Sequence, residues 1–427
     1  MGVGGRGGWA GPGAAPGRGA GRAAARAVPT AFFPLFFVFL ALSLVVGLSP
    51  RALAQDELPI QSRAAVLMDA RSGRVLYEKN AHEPLPPASV TKVFTLVVAL
   101  EALRDGRVAL DDLVVTSARA AGMGGTQVYL EVGELMTLED LLYGIAVESA
   151  NDAAVAVAEH ISGSEEAFAA LINERSRALG ARNTDFSNAS GLPPEDLGMA
   201  GRRHVTSAYD VALISRYGYT LPMFEQLVST YGPYRVRVGT RDEREFWNRN
   251  SLLRFYEGAN GIKTGYTREA GYCLAASAVR DDLHLIAVVL GAPSIQARDE
   301  DIRALLNWGF RRYEARLVVD EDEPVARVPV AKGELDAVDT VAKDALHVTV
   351  PRGADVRIER RTALPDRLLA PLEAGAVIGE VVAVVDGREE GAVDVVVKTA
   401  VPRGSWWTIV VRTAGRLLQS LSAAGAN

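Results

Sequence analysis

Two strand signals stand at opposite ends of a long helical stretch, and this arrangement constrains the fold more than any other feature of the chain. Ala64 to Asp69 and Arg74 to Tyr77 read as strands joined by a turn at Ser72-Gly73. Far downstream, Tyr272 to Val279 and His284 to Leu290 read the same way, with Asp281-Asp282 as a two-residue hairpin turn. Between them the apolar residues recur with a helical period. Strands at both ends of a helical middle are expected to meet in one antiparallel sheet flanked by helices, so residues 55–317 read as an α+β domain.

A second pattern follows. Residues 318–400 carry short Val-rich runs (Val325 to Val330, Leu346 to Val350, Val377 to Val385, Ala392 to Val397), with Asp386-Gly387 at a hairpin turn. This predicts a small all-β domain. Residues 401–427 return to a helical period: from Ser405 to Leu421, Trp407, Val410, Val411, Ala414, Leu417, Leu418 and Leu421 share one arc, and Thr408, Arg412, Arg416 and Gln419 lie opposite. Ile409 falls on the polar side. The tail is expected to be an amphipathic helix lying in a membrane surface, with docking on the chain's own β domain as the competing reading.

The other end reads as a targeting segment. Residues 1–30 are rich in Gly, Ala and Arg, Ala31 to Leu48 is an uncharged apolar run of 18 residues, and Ala52-Leu53-Ala54 follows. Residues 1–54 therefore read as a signal peptide with cleavage after Ala54 and export from the cytoplasm, against an uncleaved membrane anchor. The leader holds five Arg and no acid, which leaves 41 bases against 52 acids in the remainder. That acidic balance argues against nucleic-acid binding. With one cysteine and five scattered histidines, the sequence offers no disulfide, no thiolate cluster and no local metal-ligand pair, and no cofactor is expected.

Of the 46 basic residues only six are lysine. Two of the six sit in short motifs that carry chemistry, Ser89-Val90-Thr91-Lys92 and Lys263-Thr264-Gly265, and a third motif, Ser149-Ala150-Asn151, lies between them. Pro86-Pro87 ends what precedes, and the run from Ser89 to Leu103 is too apolar for an exposed helix. Ser89 and Lys92 are thus expected one turn apart on one face of a buried helix N-terminus. A serine hydroxyl needs a base to become a nucleophile; a lysine whose pKa is lowered can be that base, whereas arginine stays protonated. Ser149 and Asn151 fall between two apolar helical stretches and are expected at a cleft, the hydroxyl to relay a proton and the amide to hold Lys92 and a substrate carbonyl. Lys263 is expected to begin an edge strand, offering charge to a carboxylate and lowering the pKa of Lys92, with Thr264 as a hydrogen-bond donor and Gly265 admitting substrate backbone. The N–H groups of Ser89 and Tyr266 form the natural oxyanion pair.

The three motifs together match the signature of penicillin-binding proteins and class A β-lactamases. With DARSGRVLYEKN, PPASVTK, GGTQVYLEVGELMTLEDLLYGIAVESANDAAVAVAEHISGS, TDFSNASGL, IKTGYTREAGYCLAASA and LLNWGF, the chain resembles the serine-type D-alanyl-D-alanine carboxypeptidases of the low-molecular-mass penicillin-binding proteins. The resemblance implies the β-lactamase/DD-peptidase-like fold and removal of the terminal D-Ala from peptidoglycan stem pentapeptides at the outer face of the cytoplasmic membrane, with β-lactams as inhibitors. It also implies roles: Ser89 as acyl-ester nucleophile, Lys92 as base, Ser149 and Asn151 as relay and positioning groups, Lys263 and Thr264 as the carboxylate site. Arg298 is placed like an arginine near the carboxylate end of such sites. His204 and the buried thiol of Cys273 read as structural. A β-lactamase is the nearest rival, though no E-x-x-L-N lies between Asn151 and Lys263 and the middle motif is S-A-N. A D,D-endopeptidase would share the same site, and a catalytically idle envelope protein would keep the fold without the reaction. The sequence leaves oligomeric state open.

Overall fold

The computed structural model describes residues 58–407 and residue 410. The segment expected to be a signal peptide and most of the segment expected to be an amphipathic tail lie outside the described residues. Of the tail, Trp406, Trp407 and Val410 are helical and exposed, and the two indoles stack 4.2 Å apart.

The two strand pairs do meet in one sheet. β1 (Ala64–Asp69), β2 (Val75–Lys79), β3 (Ala259–Thr267), β4 (Gly271–Arg280) and β5 (Leu283–Ala292) form an antiparallel sheet in the order β2-β1-β5-β4-β3. The chain's early and late strands join through β1 and β5, with Val66 opposite Val288. Side chains alternate across a strand, and here both faces are buried, which explains why these strands read as continuous apolar runs. Val66, Met68, Ile286 and Val288 pack on the helical side. Ala65, Leu67, Ala287 and Val289 pack on the opposite side, against Ile302, Leu305, Leu306 and Trp308 of a C-terminal helix, Ile295–Arg312. Asp281 and Asp282 both have positive φ, the geometry a two-residue hairpin turn requires.

The helical layer is built around α1 (Lys92–Arg104), in which every residue from Lys92 to Ala102 is buried. A helix apolar all round must be central, and each fully buried Leu, Val or Phe contributes roughly 1.5–3 kcal/mol. Its two buried ionisable groups are Lys92 and Glu101; the latter accepts hydrogen bonds from Arg175 at 2.6 Å and from the Tyr217 hydroxyl at 2.7 Å. Around it pack α2 (Leu138–Tyr143), α3 (Asn151–Ser162), α4 (Glu165–Ala178) and α5 (Ala208–Gly218). Thr137, Ser164 and Ser207 cap the N-termini of α2, α4 and α5 by accepting a backbone N–H.

The C-terminal helix becomes α6, and β6 (Tyr313–Val319) follows it without a gap. The all-β region contains a two-stranded pair, β6 with β9 (Leu346–Pro351), and a larger sheet. That sheet includes β7 (Pro324–Ala331), β8 (Ala337–Ala342), β10 (Ile358–Ala363), β11 (Val377–Val385) and β12 (Arg388–Val397), with Leu368–Leu369 at one edge. The four Val-rich runs are strands at or close to their expected places. The strands at Tyr313, Ala337 and Ile358 were not legible, because their alternation is interrupted by charge, as in IERRTA.

Candidate active site

The site forms where α1, the α2–α3 connection and the edge strand β3 converge. The N-terminal turn of the buried helix differs from the expected α-helical turn: Ala88–Thr91 is a 3-10 helix that passes into α1 at Lys92. In 3-10 geometry residues i and i+3 eclipse, which aligns Ser89 and Lys92. The Lys92 Nζ lies 3.2 Å from Ser89 Oγ, and it donates to Asn151 Oδ1 at 2.6 Å and to the Ser190 carbonyl at 2.6 Å. A neutral amine has two N–H bonds and one lone pair. With both hydrogens taken by Asn151 and Ser190, the lone pair is left for the Ser89 hydroxyl.

Burial, followed by the nearby charge of Lys263, holds the Lys92 pKa well below the usual lysine range, against the opposing carboxylates of Asp152 and Glu165. Lys263 itself is brought down to about 7, first by burial and then by Arg249 and Arg298, with Glu148 opposing. Lys263 is thus poised for proton exchange near neutrality, and the Lys92 amine is shifted toward its free-base form.

The middle motif sits at a sharp local break. A π turn, Gly144–Glu148, ends α2, Ser149 adopts the left-handed conformation (φ 70°), and α3 starts at Asn151. Such strain gathers at functional sites because a tightly packed surround must hold it. The Asn151 amide donates to the Gly124 carbonyl at 2.8 Å, and its own N–H donates to Thr126 O at 2.7 Å. Asp152 accepts the N–H groups of Val128 and Leu130, so the GGTQVYL segment is wrapped around the start of α3.

β3 is an edge strand, as expected, but it starts four residues before Lys263, at Ala259. Lys263 and Gly265 share the strand face turned toward the Ser89 turn. A methyl group on Gly265 would meet Pro87 O at 2.7 Å and Ser89 N at 3.1 Å. The Ser89 turn therefore leaves no room for a side chain at position 265, a constraint that comes from the protein's own backbone. Gly191, at φ 84°, is pressed still closer beneath the same turn, against the Ala88 carbonyl.

A cleft of about 530 Å³ is lined by Ser89, Ser149, Thr264, Gly265, Tyr266 and Arg298, together with Thr126, Arg249, Ser251, Tyr272, Ile295 and Asp299. Lys92, Asn151 and Lys263 are buried and do not line it. The Lys263 Nζ donates to the Thr264 carbonyl at 3.0 Å. Arg298 pairs with Asp299 at 2.7 Å, and Arg249 pairs with Glu148 at 2.9 Å on the wall. Tyr266 is exposed and stacks on Tyr272. His204 is buried against Phe186 with its Nε2 2.8 Å from Thr91 Oγ1, and burial brings it down to about 3, so it is a neutral packing residue. The Cys273 thiol is fully buried beside Gly265.

The Ser190 carbonyl, the GGTQVYL wrap, Arg249 and Ser251 escaped the motif reading. The stretches GGTQVYL and SNASGL are among those that carry the family resemblance, but they act largely through backbone groups, which side-chain chemistry cannot reveal.

Residues 51–294 match the D-alanyl-D-alanine carboxypeptidase family of peptidases, and residues 313–403 match the C-terminal domain of penicillin-binding protein 5. The D-alanyl-D-alanine carboxypeptidase DacF of Bacillus subtilis is 37% identical over 363 residues, covering 84% of this chain and 91% of its own. The chain belongs to the D-alanyl-D-alanine carboxypeptidase family. Penicillin-binding protein 5 of Haemophilus influenzae superposes with a TM-score of 0.60 at 31% identity, over 81% of this chain and 98% of that one. Penicillin-binding protein D2 of Listeria monocytogenes, solved in its ampicillin-bound form, gives 0.52 at 28% identity over 60% of this chain and 99% of that one. The chain is accordingly a serine-type D-alanyl-D-alanine carboxypeptidase with the peptidase fold and a C-terminal all-β region. Members of this family act on peptidoglycan outside the cytoplasm, and no described helix is long and apolar enough to cross a membrane.

Proposed function

We propose that Ser89 is the nucleophile of this carboxypeptidase and Lys92 its general base. The reading rests on one observation above the rest: Lys92 Nζ lies 2.6 Å from both Asn151 Oδ1 and the Ser190 carbonyl and 3.2 Å from Ser89 Oγ. Ser89 Oγ attacks the carbonyl carbon of the penultimate D-Ala of a stem pentapeptide while its proton passes to Lys92. The N–H groups of Ser89 and Tyr266 receive the oxyanion. Ser149, on the cleft wall, relays a proton to the amine of the departing D-Ala, and Asn151 holds Lys92 and the substrate amide. Thr264 and Arg298 receive the terminal carboxylate in the positive field of Lys263. Water then attacks the ester with Lys92 again as base, releasing the shortened peptide and restoring Ser89.

A β-lactam would trap the first half of this sequence as an acyl-ester. Mass spectrometry of the penicillin-treated protein is the test: a single adduct on the Ser89 peptide supports the assignment, and an adduct that persists in Ser89→Ala overturns it. Product analysis with pentapeptide and with cross-linked dimer separates carboxypeptidase from endopeptidase turnover. The exported location and membrane seating by the tail belong to the same proposal, supported by the apolar Ala31–Leu48 run and by the Arg-faced amphipathic pattern after Ser405. Flotation with anionic liposomes tests the second; equal flotation of a chain ending at Val401 would reject it.

A further inference from the structure

Glu165 is the first residue of α4 and is fully buried. Acids are common in a helix's first turn, where they normally face solvent and favour the helix dipole. This one instead turns inward, between Arg119 and the loop that carries Ser190. One carboxylate oxygen accepts from both Nε and Nη2 of Arg119, the former at 3.0 Å. The other accepts the N–H of Ala189 at 3.0 Å. Ala189 is followed by Ser190, whose carbonyl takes one hydrogen of Lys92. The rest of the loop is pinned from other sides: Ala189 O accepts from Thr95 at 2.7 Å, and Asn188 Oδ1 accepts the N–H groups of Ser190 and Gly191.

We propose that Glu165 is a positioning residue for the Lys92 base: through the Ala189 N–H it fixes the Ser190 carbonyl, which orients the amine so that its lone pair meets Ser89. The proposal rests on the reading of Lys92 as base. A buried carboxylate costs several kcal/mol in desolvation unless it is well paired. Here Arg119, about one third exposed, supplies the pairing from the solvent side. The carboxylate also acts at a distance. Charged or titratable groups acting on Lys92 are Lys263 from β3, Asp152 from α3, Glu165 from α4 and His204 from the loop before α5, the last held neutral. Glu165 favours the protonated amine, so removing its charge favours the free base.

The test is the second-order rate of acylation by a fluorescent penicillin, followed as a function of pH in the full chain for wild type, Glu165→Ala and Glu165→Gln. Thermal melting checks that each variant is folded. Glutamine keeps an acceptor for the Ala189 N–H and loses the charge. It is expected to acylate within a few fold of wild type at the plateau, with the acid limb of the pH profile moved to lower pH. Alanine loses the acceptor as well as the charge and is expected to fall roughly 10- to 100-fold at the plateau, the scale that follows from a misplaced reacting group, with its acid limb moved as in glutamine. Glu101→Gln, which weakens another buried ion pair on α1 far from Ser89, should leave the profile in place. Wild-type rates and an unmoved acid limb in both Glu165 variants would overturn the proposal, as would equal slowing of the two. If alanine fails to fold, the limb position in Glu165→Gln decides alone. These outcomes differ from a failure of the underlying assignment, which would appear as a wild-type chain that takes no label or as label retained by Ser89→Ala.

Discussion

Replacing Gly265 by alanine tests how tightly the edge strand and the Ser89 turn are fitted. The added methyl would stand 2.7 Å from the Pro87 carbonyl oxygen and 3.1 Å from the amide nitrogens of Ser89 and Val90. Comfortable contact begins at 3.4 Å, so a gap of about 0.7 Å has to open between β3 and the turn. All three neighbours are backbone atoms, so no side chain can swing aside. β3 is held by its pairing with β4, where Gly265 lies opposite Cys273, and the turn is backed by the Gly191 loop. The backbone of Gly265 lies outside the left-handed region, so alanine brings no conformational strain of its own and the effect isolates the contact. The two proposed oxyanion donors, Ser89 N–H and Tyr266 N–H, sit on the two parts that must separate. A misplacement of about 1 Å costs on the order of 100-fold in rate, so this one should cost roughly 10- to 100-fold in acylation. That corresponds to about 1.4–2.7 kcal/mol in the barrier, beside a stability loss of about 1–3 kcal/mol from overpacking. Stopped-flow acylation by a fluorescent penicillin, at a temperature where melting shows the variant folded, measures the first effect separately from the second. A folded variant that acylates within twofold of wild type would refute the claim that this contact sets the site.

Three further outcomes follow from the same geometry. Lys92→Arg keeps the positive charge but cannot give up its proton near neutral pH, so acylation should be lost; wild-type labelling in this variant would remove lysine from the base role. Lys263, brought down to about 7, is charged below that pH and loses its charge as pH rises through it. The KM for a substrate bearing a free carboxylate should therefore rise above about pH 7, and Lys263→Arg should flatten that rise; an unchanged pH dependence of KM in the arginine variant would count against it. Cys273 is fully buried and its thiol is pushed up to about 11 by burial, so the native chain should resist thiol-reactive reagents and label only after denaturation. Rapid native labelling would show that the β3–β4 pairing opens.

The sequence by itself made the main elements of the peptidase domain and the three chemical motifs legible. The all-round apolar run after Lys92 had to be a buried helix, the segments that form β1 and β5 read as strands of one antiparallel sheet, and a lysine three residues after a serine at that helix's start had only a few uses. Those conclusions follow from local periodicity and from the proton chemistry of side chains, which need no knowledge of distant partners. Only the tertiary structure decided what surrounds that lysine. The Ser190 carbonyl that takes one of its hydrogens lies 98 residues away. The residue that requires glycine at position 265 is the Ser89 turn, on a different element. Glu165 looks in the sequence like any first-turn acid. Each of these acts through backbone groups or through burial, and both are properties of the packed chain. The strain at Ser149 and the edge position of β3 have the same origin: strand order and helix breaks are set by which surfaces pack together, and a one-dimensional pattern records only that those surfaces are apolar.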